Sequence, residues 1–336
     1  MLKAGHSSIA VTLPKPWAEA MNLHPGDLIV FDQNDDGTLY LKPAPLPGAV
    51  VECVPFLVQA RSFDTPGVLE RLIIGAYRVG HDSIEIRTDV PLSAERLEEL
   101  QQAARGLLGV SIVAQEANRI VLQNFIDPSK YGLPQLVQRM KMILVAFLEE
   151  MEELAQRRTK SRRVTALEEE ANKVLALLVR QMFLASRDWS LARRIGSPDP
   201  RQLLEWRVVV HALEEIAELF GDTLRALNDE ATTMGNGSGA ALIEYLPELK
   251  THLKAVVEAL MHPSLDHACG VYNGSGRIGD LARWPSPRRG VRAKVGMPRP
   301  AAHLLQRSAG CLGLLAEIAI DRAVAAGNDT ILVEAA

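Results

Sequence analysis

The chain has 336 residues, too many for one comfortable hydrophobic core, so two or three domains are expected. The formal net charge of −4 excludes an overall electrostatic coating of nucleic acid or membrane and leaves room only for a local basic face. Cys53, Cys269 and Cys311 are scattered, odd in number and without C-x-x-C spacing, so they read as buried or free thiols of a reducing compartment. No apolar signal core opens the chain and no apolar run reaches about 18 residues, which predicts a cytoplasmic protein that does not span a membrane.

The first 45 residues differ from the rest. IAVTL (residues 9–13) alternates as a strand should, and Pro16 suits the first turn of a short helix ending near Met21. His24-Pro25-Gly26-Asp27 is turn chemistry. LIVFD (28–32) and TLYLK (38–42), joined by Asn34-Asp35-Asp36-Gly37, form a readable hairpin. This is too little chain to bury a core alone, and a second copy is the expected partner.

After a proline-rich bridge (43–47) the pattern becomes mixed. Residues 50–60 read as a strand, and residues 65–80 as a helix capped by Asp64 and Thr65 and stopped by Gly80. SIEIR (83–87) is a strand, and residues 93–109 are a helix capped by Ser93. Two strands follow around Ala117-Asn118. The order β-α-β-α-β-β predicts a two-layer α/β connector over residues 48–127.

From residue 133 the three-and-four spacing of apolar residues predicts helices over 133–158, 164–187, 201–228, 242–261 and 301–326. GNGSG (235–239) reads as a flexible hinge, and 263–300 as irregular. Residues 133–230 and 240–330 are thus two related helical bundles, the second degenerate because its middle helix is largely lost.

Ser7-Ser8-Ile9-Ala10-Val11-Thr12-Leu13-Pro14-Lys15-Pro16-Trp17, followed by Leu23-His24-Pro25-Gly26-Asp27, resembles the AbrB/SpoVT swapped-hairpin family, in which a strand, an LPK turn, a short helix and x-G-D recur in this order. The resemblance implies an interlocked homodimer whose first-strand region meets DNA. By position the DNA-binding residues are Lys3, His6, Ser7, Ser8 and Lys15, with Lys3 and Lys15 on phosphates and the small polar groups fixing register. The chain begins almost at Gly5, whereas the family usually carries several further residues, often basic, before the corresponding glycine. Asp64-Thr65-Pro66-Gly67-Val68-Leu69 is weakly similar to the ligand loop of ACT domains, although the element order differs.

The helical body resembles PhoU, and more closely the PhoU-like regulators that carry a swapped-hairpin head. That family consists of paired three-helix bundles with acidic E-x-x-x-D motifs on facing helices. Glu168-Glu169-Glu170-Ala171-Asn172 stands where the first motif belongs, with Asn172 for aspartate. Glu214-Glu215-Ile216-Ala217-Glu218 stands at the second, with Glu218 for aspartate. The resemblance implies a carboxylate cluster of Glu168, Glu214 and Glu218 holding a divalent or ferric metal in the first bundle, since carboxylates at i and i+4 share a helix face. The alternative is a solvated acidic face. In the second bundle Gln306-Arg307-Ser308-Ala309-Gly310 replaces the acidic motif.

Residues 277–299 carry Arg277, Arg283, Arg288, Arg289, Arg292, Lys294 and Arg299 against Asp280, interleaved with Trp284, Pro285 and Pro287; they read as a disordered or solvent-exposed linker, the alternative being a loop that binds an anionic partner, nucleic acid or phosphate. No catalytic motif emerges, so no enzymatic activity is expected. His211 reads as an ordinary helix residue. The expected protein is a regulator of phosphate uptake or phosphate-responsive transcription, binding DNA through its head and a phosphate transporter or sensor kinase through its body. The rivals are an adaptor that does not bind DNA and a metal-binding helical protein.

Overall fold

A computed structural model describes residues 2–3, 9–33, 37–44, 55–60, 65, 67–230, 236–282 and 298–327. The chain divides into two compact units, Met1–Cys53 and Val54–Ala336.

The first unit is built from β1 (Leu2–Lys3), β2 (Ile9–Ala10), α1 (Lys15–Ala20), β3 (Ile29–Gln33) and β4 (Leu39–Pro43). β1 pairs antiparallel with β2, and β3 with β4. Pro16 sits in the first turn of α1, where no N–H is required. The helix ends in a Schellman motif. Asn22 takes a φ of 51°, its N–H reaches the Glu19 carbonyl, and the Leu23 N–H reaches Ala18. His24–Asp27 is the expected turn: Gly26 has a φ of 103°, the Asp27 N–H returns to the His24 carbonyl, and the Asp27 carboxylate accepts the His24 N–H at 2.6 Å.

The register, with Phe31 opposite Leu41 and Ile29 opposite Pro43, puts Ile29, Phe31, Leu39 and Leu41 on one face of the hairpin and Val30 and Tyr40 on the other. Phe31 and Leu39 are 61% and 56% exposed. Among the described residues of this unit none is buried.

The second unit begins with an α/β layer: β5 (Phe56–Ala60), α2 (Val68–Arg78), β6 (Ser83–Thr88), α3 (Ala94–Arg105), β7 (Val110–Glu116) and β8 (Arg119–Asn124). The strand order is β5-β6-β8-β7, with β5 parallel to β6 and the other pairs antiparallel. Ile84, Ile86, Ile120 and Leu122 alternate toward α2 and α3, which contribute Leu69, Ile73, Tyr77 and Leu100 to the core. Ser93 caps α3 as expected, its Oγ accepting the Arg96 N–H.

The cap of α2 departs from the expectation. Gly67, in the left-handed region, is its N-cap, and Thr65 offers only its carbonyl, to the Val68 N–H. The side-chain cap is long-range: Glu99 of α3 accepts the N–H groups of Gly67 at 3.0 Å and Glu70 at 3.3 Å. Asp64 lies outside the described residues.

The helical body consists of α4 (Leu133–Arg157), α5 (Val164–Ala185), the short α6 (Trp189–Arg194), α7 (Pro200–Glu230), α8 (Asn236–Met261), α9 (Leu265–Ala282) and α10 (Arg299–Ala326). The long helices α4, α5 and α7 pack on one another, as do α8, α9 and α10; α4–α8 and α7–α10 join the two sets. Two expectations are corrected here. Residues 265–282, read as irregular, form α9, so the second set keeps its middle helix despite Gly270, Gly274, Gly276 and Gly279. Burial of Ala268, Val271 and Ile278 against neighbouring helices outweighs their low propensity. The glycine-serine run does not stay a hinge throughout, because α8 starts at Asn236. Gly239 is buried where α8 crosses α4, and a Cβ there would lie 3.1 Å from the Ala155 carbonyl oxygen.

Of the basic 277–299 stretch, residues 283–297 lie outside the described residues, as does Cys53; Cys269 and Cys311 are free thiols. Among the described residues no helix is long and apolar enough to cross a membrane.

Candidate functional site

Of the five head residues expected at DNA, His6, Ser7 and Ser8 lie outside the described residues. Lys3 is placed by its backbone, opposite Ile9 in the β1–β2 pair. Lys15 opens α1 and is 86% exposed, with its ammonium 3.7 Å from the Glu19 carboxylate. So exposed a pair holds the lysine weakly, and a phosphate can displace the carboxylate.

In the second unit Arg180 fastens the α/β layer to the helical body. Arg180 of α5, 1% exposed, donates to the Tyr77 carbonyl at 2.7 Å and the His81 carbonyl at 2.9 Å, and pairs with the Asp82 carboxylate. Its guanidinium lies 4.9 Å from the centre of the Tyr77 ring, whose hydroxyl donates to Leu108. Burial is the main reason the Tyr77 hydroxyl is pushed up to about 12. The α2 stop at Gly80 (φ 104°) lies against α5, where a Cβ would fall 2.8 Å from Leu184. Nothing in the sequence singles out Arg180. Its partners are mostly backbone carbonyls about a hundred residues earlier.

Beside this fastening α2, α3, α5 and α7 enclose an open cleft of about 800 Å³. Arg78 of α2 crosses it to Glu214 of α7 at 3.5 Å. Glu218, one turn on, also lines it, as do Asn172 and Lys173 of α5 and Arg71 and Arg105 of the α/β layer. Partial burial, with Glu214, Glu215 and Asp222 nearby, pushes the Glu218 carboxyl above its ordinary range.

The cleft therefore contains two of the three carboxylates expected to bind metal, but not the third. Glu168 runs across Gly221, where any Cβ would overlap its carboxylate, and pairs with Arg225. Glu215 turns the other way, to Arg307 of α10 at 2.5 Å, and Glu170 meets Arg139 at 3.5 Å. Arginines thus stand where the expected cluster needs cations, and Arg78 brings positive charge to Glu214 itself. Among the described residues no group of three or more His, Cys, Asp or Glu is arranged to hold a metal ion. The donor set does not fit a multi-cation cluster.

By its elements the first unit is a strand, short helix and hairpin that bury little of themselves, a small β-rich head that needs a further surface to be stable. Residues 3–48 match the family model for antidote-toxin recognition MazE, bacterial antitoxin. The head is therefore of MazE/AbrB-like type, a kind of domain that typically dimerises and binds DNA. No curated protein and no solved structure matches the chain.

Proposed function

We propose that the protein is a homodimeric regulator of phosphate uptake or phosphate-responsive transcription, binding promoter DNA through its head and a phosphate transporter or sensor kinase through a PhoU-like body. The head's match to a MazE/AbrB-like domain carries this reading, together with the exposed Phe31–Leu39 face that a second head would cover. Among the described residues of the body six long helices pack as two sets of three, which supports the PhoU part. Lys3 and Lys15 neutralise phosphates, and His6, Ser7 and Ser8 fix the register of the first-strand region on the duplex.

Purified protein should retard phosphate-operon promoter DNA, with an affinity that falls steeply between about 50 and 200 mM salt. Lys15→Ala should weaken all sequences alike and flatten the salt slope by about one contact per protomer. Negligible binding at low salt sinks the DNA part.

The net charge of −4 and the proximity of Lys15 to Glu19 favour a second reading, in which the head only dimerises and the protein acts as an adaptor. Capture of a transporter or kinase subunit without any DNA shift is the expected outcome in that case.

A further inference from the structure

The cleft has walls of opposite sign. The α2–α3 wall presents Arg71, Arg78 and Arg105 against Glu70, and the α5–α7 wall presents Glu169, Glu214 and Glu218 against Lys173. Among the described residues only the Arg78–Glu214 pair closes from one wall to the other, and the Arg78 Nε is buried without a hydrogen-bond partner. Among the described residues Arg71 and Arg105 enter no ion pair, and Glu218 is partly desolvated beside another carboxylate. A simple anion entering this space meets four glutamates, and a simple cation meets three arginines and a lysine. A molecule carrying both charges meets neither penalty, because each end finds the wall that complements it. At about 800 Å³ the space is in the range of small-molecule sites.

We propose that this cleft binds a small organic zwitterion. Its anionic group, a carboxylate or phosphate, lies on Arg71 and Arg105, and its protonated amine lies on Glu214 and Glu218. The inference stands apart from the DNA-binding reading and is tested without DNA.

Isothermal titration of the full chain with glycine, β-alanine, γ-aminobutyrate and ε-aminocaproate varies the spacing of the two charges, and phosphoethanolamine replaces carboxylate by phosphate. Butyrate and butylamine are the single-charge controls. At least one zwitterion should bind about tenfold or more tighter than either control. Arg105→Ala and Glu218→Gln should each weaken it by about tenfold, with unchanged circular dichroism. Should either variant melt early, Arg71→Gln and Glu169→Gln take its place on the same walls. Preference for phosphoethanolamine assigns the anionic end to phosphate, and preference for an amino carboxylate assigns it to carboxylate. No zwitterion outperforming the controls, or binding indifferent to changes on both walls, overturns the proposal.

Discussion

Two glutamates with opposite environments give opposite pH signatures. Burial works against the charge of Glu99, but Arg96 and the N–H groups of Glu70 and Gly67 outweigh it and hold the carboxyl below its ordinary range. Its stabilisation is present above the unfolded-state value of about 4.3 and is lost as acid protonates it. Glu99→Gln should therefore lower the melting temperature at pH 7 and have little effect below about pH 3. For Glu218 the sign reverses. A raised carboxyl pKa means stability that is complete at low pH and declines as the pH rises through the folded-state value. Glu218→Gln should raise the melting temperature at neutral pH, and the gain should vanish in acid. Arg180 matters in another way, because removing it strands the Tyr77 and His81 carbonyls. Arg180→Met should cost about 3 kcal/mol in urea unfolding, the low end of the range because Asp82 is itself 51% exposed and can turn to water.

At the scale of elements, α2 is held at both ends by tertiary contacts. Gly80→Ala combines a left-handed backbone with overlap onto Leu184, and about 1–2 kcal/mol of destabilisation is expected from the backbone alone. That loss is readable by chemical denaturation. The existence of the strands and most helices was legible in the sequence, because periods of two and 3.6 survive where one face is buried. α9 was not, because its glycines mimic a linker and the surface that makes it a helix belongs to other helices. The true cap of α2 was not legible either, since a carboxylate about thirty residues downstream leaves no local signature.

For the whole molecule, none of the head's described residues is fully buried, and on the proposed reading a second head covers the hairpin face. Phe31→Asp in the full chain should convert a dimer to a monomer by light scattering and abolish DNA retardation, while the melting of the second unit stays unchanged. The order of modules was legible from the LPK turn, the x-G-D turn and the change to helical periodicity. The cleft was only half legible. Glu214 and Glu218 stood out as a motif, but Arg78, the partner of Glu214, lies 136 residues away in sequence. Only folding reveals that an acidic pair faces guanidinium groups.

The bond between Arg180 and the end of α2 also fixes where the α/β layer is held. Arg180 grips residues 77–82, and Arg78 joins the body one residue into that grip, so both attachments lie at the C-terminal end of the helix. The opposite end is capped by Glu99 from within the same layer and travels with it. The two polar links described between layer and body therefore sit together at the root of the cleft, where Arg78 lies, and the end of α2 towards Arg71 is held from within the layer.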